Sequence, residues 1–481
     1  MVSKDFAPLT FEELDPERRP SLRLAILPVV ALVGFLGVGS AVLELDPHVP
    51  LLWSIVAVAA VGRYGIGLPW EDLSDGVARG LNMGLQALLI IFTIYALIAT
   101  WVSAGTIPAL MYYGLGLLSP AVFLPAAALL AAVVAFSIGS SWTTVGTLGV
   151  AFVGIGSGLG VPAPMTVGAV LSGAYAGDKQ SPLSDTTNLA AGVTNTDLYD
   201  HIRAMRAGTV AAFGVAVLAY AALGLRAAGG APPGRVAEIQ TALAGTYDLS
   251  PLVFLPLLAT FGLALRGYPA LPSLVAGVFA GVGTSIAVQG RSFVDAWGAF
   301  MYGTSPETGT DLVNELLASG GLTGSAWTIT VVVAALALGG LLERTGVLAV
   351  LAHHLSKSVS GVGGLVAGTG AAAAVTNALT AQQYMSIVVP GLTLRNLYDE
   401  YGLDSTDLSR AVEAAGTPTG ALIPWHAGGV YMATVTGVAT LSYAPYYFFG
   451  FLSPLVLFAM AATGWQLTRS GDATGVAGAA D

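Results

Sequence analysis

The chain has 481 residues, 55% of them hydrophobic and only 10% charged, with a net charge of −10 and a mean hydropathy of +0.75. Soluble domains carry about 25% charged residues, so a soluble enzyme or nucleic-acid binder is excluded, and long unbroken apolar runs speak for helices rather than a β-barrel. The sequence contains no cysteine, which removes disulfides and thiolate chemistry. None of its histidines (His48, His201, His353, His354 and His426) stands in an H-E-x-x-H zinc pattern.

Residues 1–21 carry Asp5, Glu12, Glu13, Asp15 and Glu17, which does not fit a cleaved signal peptide. Lys4, Arg18, Arg19 and Arg23 precede the first apolar run, whereas "ELDPHVP" after it has neither lysine nor arginine. The positive-inside bias therefore predicts a cytoplasmic N-terminus in the cell membrane. Spans of about 20 apolar residues are expected near 22–43, 49–67, 81–104, 119–138, 205–224, 250–266, 269–289, 323–342, 361–376 and 443–464. Shorter or interrupted pieces lie at 143–160, 164–177, 384–394, 407–416 and 427–441. The expectation is an all-α polytopic membrane protein with about eleven to thirteen membrane segments, several of them discontinuous or re-entrant.

Two halves are expected, 22–224 and 250–465, joined by a loop at 225–249 and followed by a disordered tail at 466–481. "GDKQSPLSDTTN" from Gly177 and "GTPTGALIPWHA" from Gly416 stand 239 positions apart. "SSWTTVGTLGV" from Ser140 faces "LTAQQYMSIVV" from Leu379 at the same offset. Duplicated, inverted halves with interrupted helices in matching places are the pattern of secondary transporters, with the substrate site where the breaks meet.

The densest polar stretch is 178–188. It holds Asp178, Lys179, Ser181, Ser184, Asp185, Thr186, Thr187 and Asn188, with Pro182 favouring a break. The apolar piece before it is about 14 residues, roughly 21 Å of helix, too short to cross a 30 Å core. An ordinary polar loop is the alternative; a break inside the membrane fits the short flanks better. Carboxylate, hydroxyl and amide oxygens are the donors a small hard cation needs, and an aspartate in a cavity can exchange Na+ for a proton. Lys179 is expected to neutralise Asp178 and leave Asp185 as the freer Na+ ligand. Supporting polar groups lie at Ser141, Thr143 and Thr144, and in the second half at Asn377, Gln382, Gln383, Glu413, Thr417, Thr419 and His426. Arg410 and Glu413 have ion-pair spacing on a helix, and Glu413 or His426 is the expected second proton group.

These residues resemble the NhaC family of Na+/H+ antiporters in the wider ion-transporter superfamily. The likeness rests on "GDKQSPLSDTTNLAAGVTNTDLYDHIRAM" (177–205), "SSWTTVGTLGVAFVGIG" (140–156), "QQYMSIVVPG" (382–391) and "LSRAVEAAGTPTGALIPWHAGGVYMATVTGV" (408–438). It implies sodium–proton exchange, or in some members exchange of small carboxylates such as malate and lactate. It implies Asp178, Ser181, Ser184, Asp185, Thr186, Thr187 and Asn188 as site residues. Two positions depart from the pattern: Gln382 stands where an acidic residue often precedes "QY", and His426 where an asparagine often follows "PW".

The leading expectation is a Na+/H+ antiporter working by alternating access, with no cofactor, embedded in lipid and assembled as a homodimer. The alternative is a coupled exchanger of a small organic anion, held by Lys179, Arg410 and half-helix N-termini. An intramembrane aspartyl protease is set aside, because "GD" (177–178) precedes "YD" (199–200), the reverse of that order.

Overall fold

The computed structural model describes residues 9–227 and 234–467. In the first half the helices are α1 (Leu22–Leu36), α2 (His48–Ala60), α3 (Trp70–Ser103), α4 (Thr106–Leu117), α5 (Pro120–Ile138), α6 (Ser141–Gly158), α7 (Ala163–Asp178), α8 (Asp185–Thr194) and α9 (Leu198–Ala227). A connecting group follows: α10 (Arg235–Thr246), α11 (Leu255–Leu265), α12 (Ala270–Ala287), α13 (Phe293–Tyr302), α14 (Asp311–Leu317) and the single turn α15 (Gly321–Gly324). The second half comprises α16 (Ala326–Arg344), α17 (Val347–Ser358), α18 (Gly361–Thr380), α19 (Gln383–Thr393), α20 (Arg395–Glu400), α21 (Ser405–Thr419), α22 (Ala427–Thr436), α23 (Thr440–Tyr443) and α24 (Phe448–Thr463). Among the described residues the only strand pairing is an isolated bridge between Thr304 and Ser319.

Among the described residues eight helices are long and apolar enough to cross a membrane, or up to ten if each bent pair counts as one span. The larger number expected included the short helices α6, α7, α19, α21 and α22, which begin or end at breaks. Helix α3 starts at Trp70 rather than near 81, because Glu71, Asp72, Asp75 and Arg79 hide its first turns from an apolar window. Its 34 residues reach about 51 Å at 1.5 Å per residue. The stretch expected as a simple loop at 225–249 contains α10, which meets the helical stretch Pro251–Leu265 at a 93° bend. The tail expected to be disordered, 466–481, lies almost wholly outside the described residues.

Two glycines set the closest packing around the site. Helix α7 lies against α5 so tightly that a Cβ on Gly173 would sit 1.9 Å from the Ala128 carbonyl oxygen, and one on Gly177 2.1 Å from that of Ala132. Small residues allow this backbone approach where lipid supplies no hydrophobic drive between helices.

Helix boundaries recur along the chain. The ends of α3 and α16 and the starts of α5 and α18 stand 241 positions apart; the starts of α6 and α19, of α7 and α21, and of α8 and α22 stand 242 apart. The offset of 239 read from the sequence is therefore two or three short. The corrected register pairs the N-cap Ser184 with the N-cap His426, and Asp185 with Ala427.

Candidate functional site

Four chain breaks converge. The α5–α6 break turns on Gly139 in the left-handed region (φ +68) and on Ser140, whose hydroxyl accepts the Thr143 N–H at 3.1 Å to cap α6. The α18–α19 break repeats this turn with Ala381 at φ +53, a conformation that costs a non-glycine residue about 1 kcal/mol and recurs at functional sites. The α7–α8 break is Lys179–Ser184, with Ser184 capping α8 through the Thr187 N–H at 3.3 Å. The last break, between α21 and α22, is tied to the second by the Ala427 N–H, which donates to the Ala381 carbonyl at 3.1 Å.

Between the breaks lies a cavity of about 40 Å³, lined by Ser140, Ser141, Trp142, Asp178, Asp185, Thr186, Gln382, Gln383 and Tyr384, with Ala87 and Ile90 from α3. Asp178 is 2% exposed. Its Oδ2 accepts the Ser141 N–H at 3.1 Å, so the N-terminus of α6 faces this carboxylate. Its Oδ1 accepts nothing within the protein, and neither do Ser141 Oγ, Thr143 Oγ1 and Gln383 Oε1. Asp185 is the more open carboxylate. Its Oδ1 accepts the Thr186 N–H at 2.8 Å, and its Oδ2 the Tyr384 hydroxyl at 2.5 Å. Buried polar atoms without partners are rare in folded chains; a group of them around a polar cavity of this size suits one small cation.

The remaining candidates divide. Thr186 and Thr187 turn their hydroxyls to Glu413 Oε1, at 3.4 and 3.0 Å. Ser181 Oγ accepts the Leu183 N–H, and Ser184 Oγ also meets Thr186 Oγ1 at 3.1 Å. Thr144 bonds back to the Ser140 carbonyl. Asn188 is exposed and donates to the Pro182 and Ser184 carbonyls at 2.9 and 2.7 Å, away from the cavity lining. In the second half, Gln382 and Gln383 reach the cavity, whereas Asn377, Thr417, Thr419 and His426 do not line it.

Three expectations are corrected. Lys179 does not pair with Asp178: its fully buried ammonium donates to the Glu413 carbonyl at 2.8 Å and to Ser453 Oγ at 3.4 Å, because the chain turns it into the α21–α24 interface. Arg410 does not pair with Glu413; it bonds Asp407, one turn earlier, and the Gln466 carbonyl at 2.8 Å. His426 is not presented as a proton carrier. Its Nδ1 accepts the Gly428 N–H at 2.9 Å, which leaves Nε2 to donate to Asn377 Oδ1 at 3.0 Å, so both nitrogens of a neutral ring are committed.

Two contributors escape a reading by motif. Tyr384 is hidden at the end of an unremarkable "QQY", yet it bonds Asp185 from the other half. His201 appears in the long first segment without a role. Its Nε2 lies 2.5 Å from Glu413 Oε2, and its Nδ1 2.8 Å from Ser409 Oγ. The Ser409 hydroxyl donates to the Thr406 carbonyl at 2.9 Å, so Nδ1 must be the donor toward Ser409, and Nε2 and Glu413 share a proton. Among the described residues no group of three or more His, Asp or Glu is arranged to hold a metal ion; what the cavity offers is two carboxylates with neutral oxygens.

The description "Na+/H+ antiporter family" matches residues 20–178 and 173–465. The chain is 56% identical over 466 residues to an arginine/ornithine antiporter of Halobacterium salinarum, covering 96% of each chain. It is 37% identical over 441 residues to the Na+/H+ antiporter NhaC of Alkalihalophilus pseudofirmus, covering 92% of this chain and 95% of that one. It is 34% identical over 389 residues to a malate-2H+/Na+-lactate antiporter of Bacillus subtilis, covering 81% and 83%. By the extent of these matches, the chain is a multi-pass membrane protein that belongs to the Na+/H+ antiporter family.

Proposed function

We propose that the chain exchanges Na+ for H+ across the cell membrane by alternating access, with the Asp178–Asp185 cavity as the shared site. The observation that carries this reading is the cavity itself. Two carboxylates from one helix break meet unpartnered oxygens from Ser141 and Gln383 in a space of about 40 Å³. One cation fits there with its oxygens, and the same carboxylates take protons when it leaves. The Glu413–His201 couple, reached through Thr186 and Thr187, is the second proton group in this reading. The N-terminus is cytoplasmic, the two halves are inverted copies, and the assembly is a homodimer.

The test is direct. Everted vesicles holding the protein are acidified, NaCl or LiCl is added, and a pH dye is followed with no organic acid or amino acid present. Na+ is expected to dissipate the gradient; no response overturns simple Na+/H+ exchange.

A second reading, exchange of basic amino acids, has its own support. The Halobacterium relative carries that name. A chamber of about 430 Å³ also opens above the cavity, with Glu315 as its one charged lining residue. Net uptake of labelled arginine against ornithine on the same vesicles separates the two. The organic-anion alternative, which the malate/lactate relative fits, keeps the half-helix N-terminus of α6 as an anchor but not Lys179 and Arg410, whose side chains are tied elsewhere and line neither space.

A further inference from the structure

Helix α3 borders three spaces in succession. Gly80 and Met83 border a seam of about 10 Å³, Ala87 and Ile90 the ion cavity, and Tyr95, Ile98 and Val102 the 430 Å³ chamber. Most of these positions step by three or four and so lie on one face of the helix. From 80 to 102 the rise is about 33 Å, the thickness of a hydrocarbon core. The wide chamber, the small cavity and the closed seam thus follow one another across the membrane.

The seam continues the cavity rather than ending it. Gln382 lines both, is 5% exposed, and its Nε2 has no partner. At the far end of the seam stands Glu343, 3% exposed, at the last turn of α16. Its Oε2 accepts no hydrogen bond but is ion-paired with Arg79 of α3, whose Nε lies 3.7 Å away, so a parting of α3 from α16 would free this carboxylate. Its Oε1 accepts the Leu9 N–H at 3.0 Å. A buried carboxylate in a membrane protein, at the end of a narrow seam lined mostly by glycine, leucine and methionine, is a functional candidate. Two things shut the seam. Gly80 lies so close to α16 that a Cβ would sit 2.2 Å from the Leu336 carbonyl oxygen. The N-terminal segment also covers the end: Phe11 stacks on His353 at 3.6 Å, Leu14 is buried over Gly346, and Arg19 lies over the Phe11 ring at 4.1 Å.

We propose that the transported cation travels along this face of α3 and that Glu343 is a second site for a small monovalent cation at its closed end, with residues 9–19 as the plug. The proposal rests on the cavity being the transport site. The plug is released when α3 and α16 part, and Glu343 then receives the cation from Gln382. A merely structural Glu343 would anchor the N-terminus and do nothing else.

The chain has no native cysteine, so single cysteines report the path without requiring transport. Full-length variants Ile98→Cys, Ala87→Cys and Met83→Cys are treated in membranes with a cationic thiol reagent. Ile98→Cys is expected to react fast, Ala87→Cys slowly, and Met83→Cys not at all. With Phe11→Ala and Leu14→Ala added, Met83→Cys is expected to become reactive. NaCl or LiCl should then protect it, and Glu343→Gln should abolish that protection. Should the double variant fail to fold, Leu9→Pro removes the N–H donated to Glu343 together with the leucine side chain packed there, loosening the same end of the segment, and is read the same way. A Met83→Cys that stays unreactive in the folded loosened protein, or protection that survives Glu343→Gln, overturns the proposal. Failure of the transport reading is seen separately, as a silent pH dye with this labelling order intact.

Discussion

The α7–α8 and α21–α22 breaks share one plan and differ in chemistry. Each follows a fifteen- or sixteen-residue helix, each ends on a side-chain N-cap, and each starts a ten-residue helix that closes on a left-handed residue, Asn195 or Gly437. In the first break the cap is the Ser184 hydroxyl and the next residue is Asp185; in the second the cap is the His426 ring and the next residue is Ala427. The first therefore turns carboxylates toward the cavity, while the second holds the frame through the Ala427–Ala381 and His426–Asn377 bonds. The difference teaches that a shared backbone plan places the breaks, and that charge need be supplied by only one of them.

The sharpest way to break the comparison is to remove or misplace that charge. Asp185→Asn keeps an acceptor oxygen for the Thr186 N–H and turns its amide NH2 toward the Tyr384 hydroxyl, which can accept from it, so the protein is expected to fold while Na+-driven proton movement falls to background in the dye assay. Asp178→Asn is expected to do the same. Ala427→Asp puts a carboxylate at the matching place in the second break, where position 427 is 1% exposed. An uncompensated buried charge costs several kcal/mol, so this variant is expected to lose folded yield in size-exclusion chromatography. Exchange that persists in Asp185→Asn would mean the two breaks are less unequal than their residues suggest.

A smaller effect tests the couple behind the first break. Glu413→Gln keeps an oxygen for Thr187 but cannot share a proton with His201 as a carboxylate does. Charged hydrogen bonds contribute about 1.5–3 kcal/mol, so exchange is expected to slow about tenfold or more rather than stop. A His201→Gln variant that slows equally, with the double variant no worse, is the outcome that marks them as one unit.

How much of this was legible in the sequence follows from range. The α7–α8 break could be read because its signals are local: a short apolar flank, Pro182, and clustered oxygens. The start of α3 could not, since its charged turns bind partners 272 positions away, as Arg344 does Asp72 at 2.5 Å. Lys179 misled for the same reason. Sequence adjacency to Asp178 suggested a pair, but the helix end sends the two side chains to different neighbours, and the ammonium finds a carbonyl 234 positions on. Tyr384 and His201 carry no local mark at all; only the meeting of the halves gives them partners.

His426 measures the neutral side of the comparison. His426→Ser restores the kind of cap that Ser184 supplies, but leaves Asn377 Oδ1 without its donor. A buried acceptor left unpaired costs about 1–3 kcal/mol, so the purified protein is expected to unfold at a lower temperature while the Na+ dependence and pH profile of exchange stay as they were. A moved pH profile would make His426 a proton group after all.

The smallest effect is expected at Asn188. Its counterpart at the corrected offset, 242 positions on, is Val430, which is likewise the fourth residue of its helix but carries no amide. Asn188 is exposed and spends its donors on the Pro182 and Ser184 carbonyls, so it tightens the turn without touching the cavity. Loss of ordinary hydrogen bonds costs about 0.5–1.5 kcal/mol each, less at an exposed position where water replaces the partner. Asn188→Ala should therefore leave the Na+ concentration for half-maximal exchange unchanged and lower only the unfolding temperature slightly. If half-maximal exchange instead needs much more Na+, the amide belongs to the cation's oxygen set, and the charged break reaches further toward solvent than its neutral counterpart does.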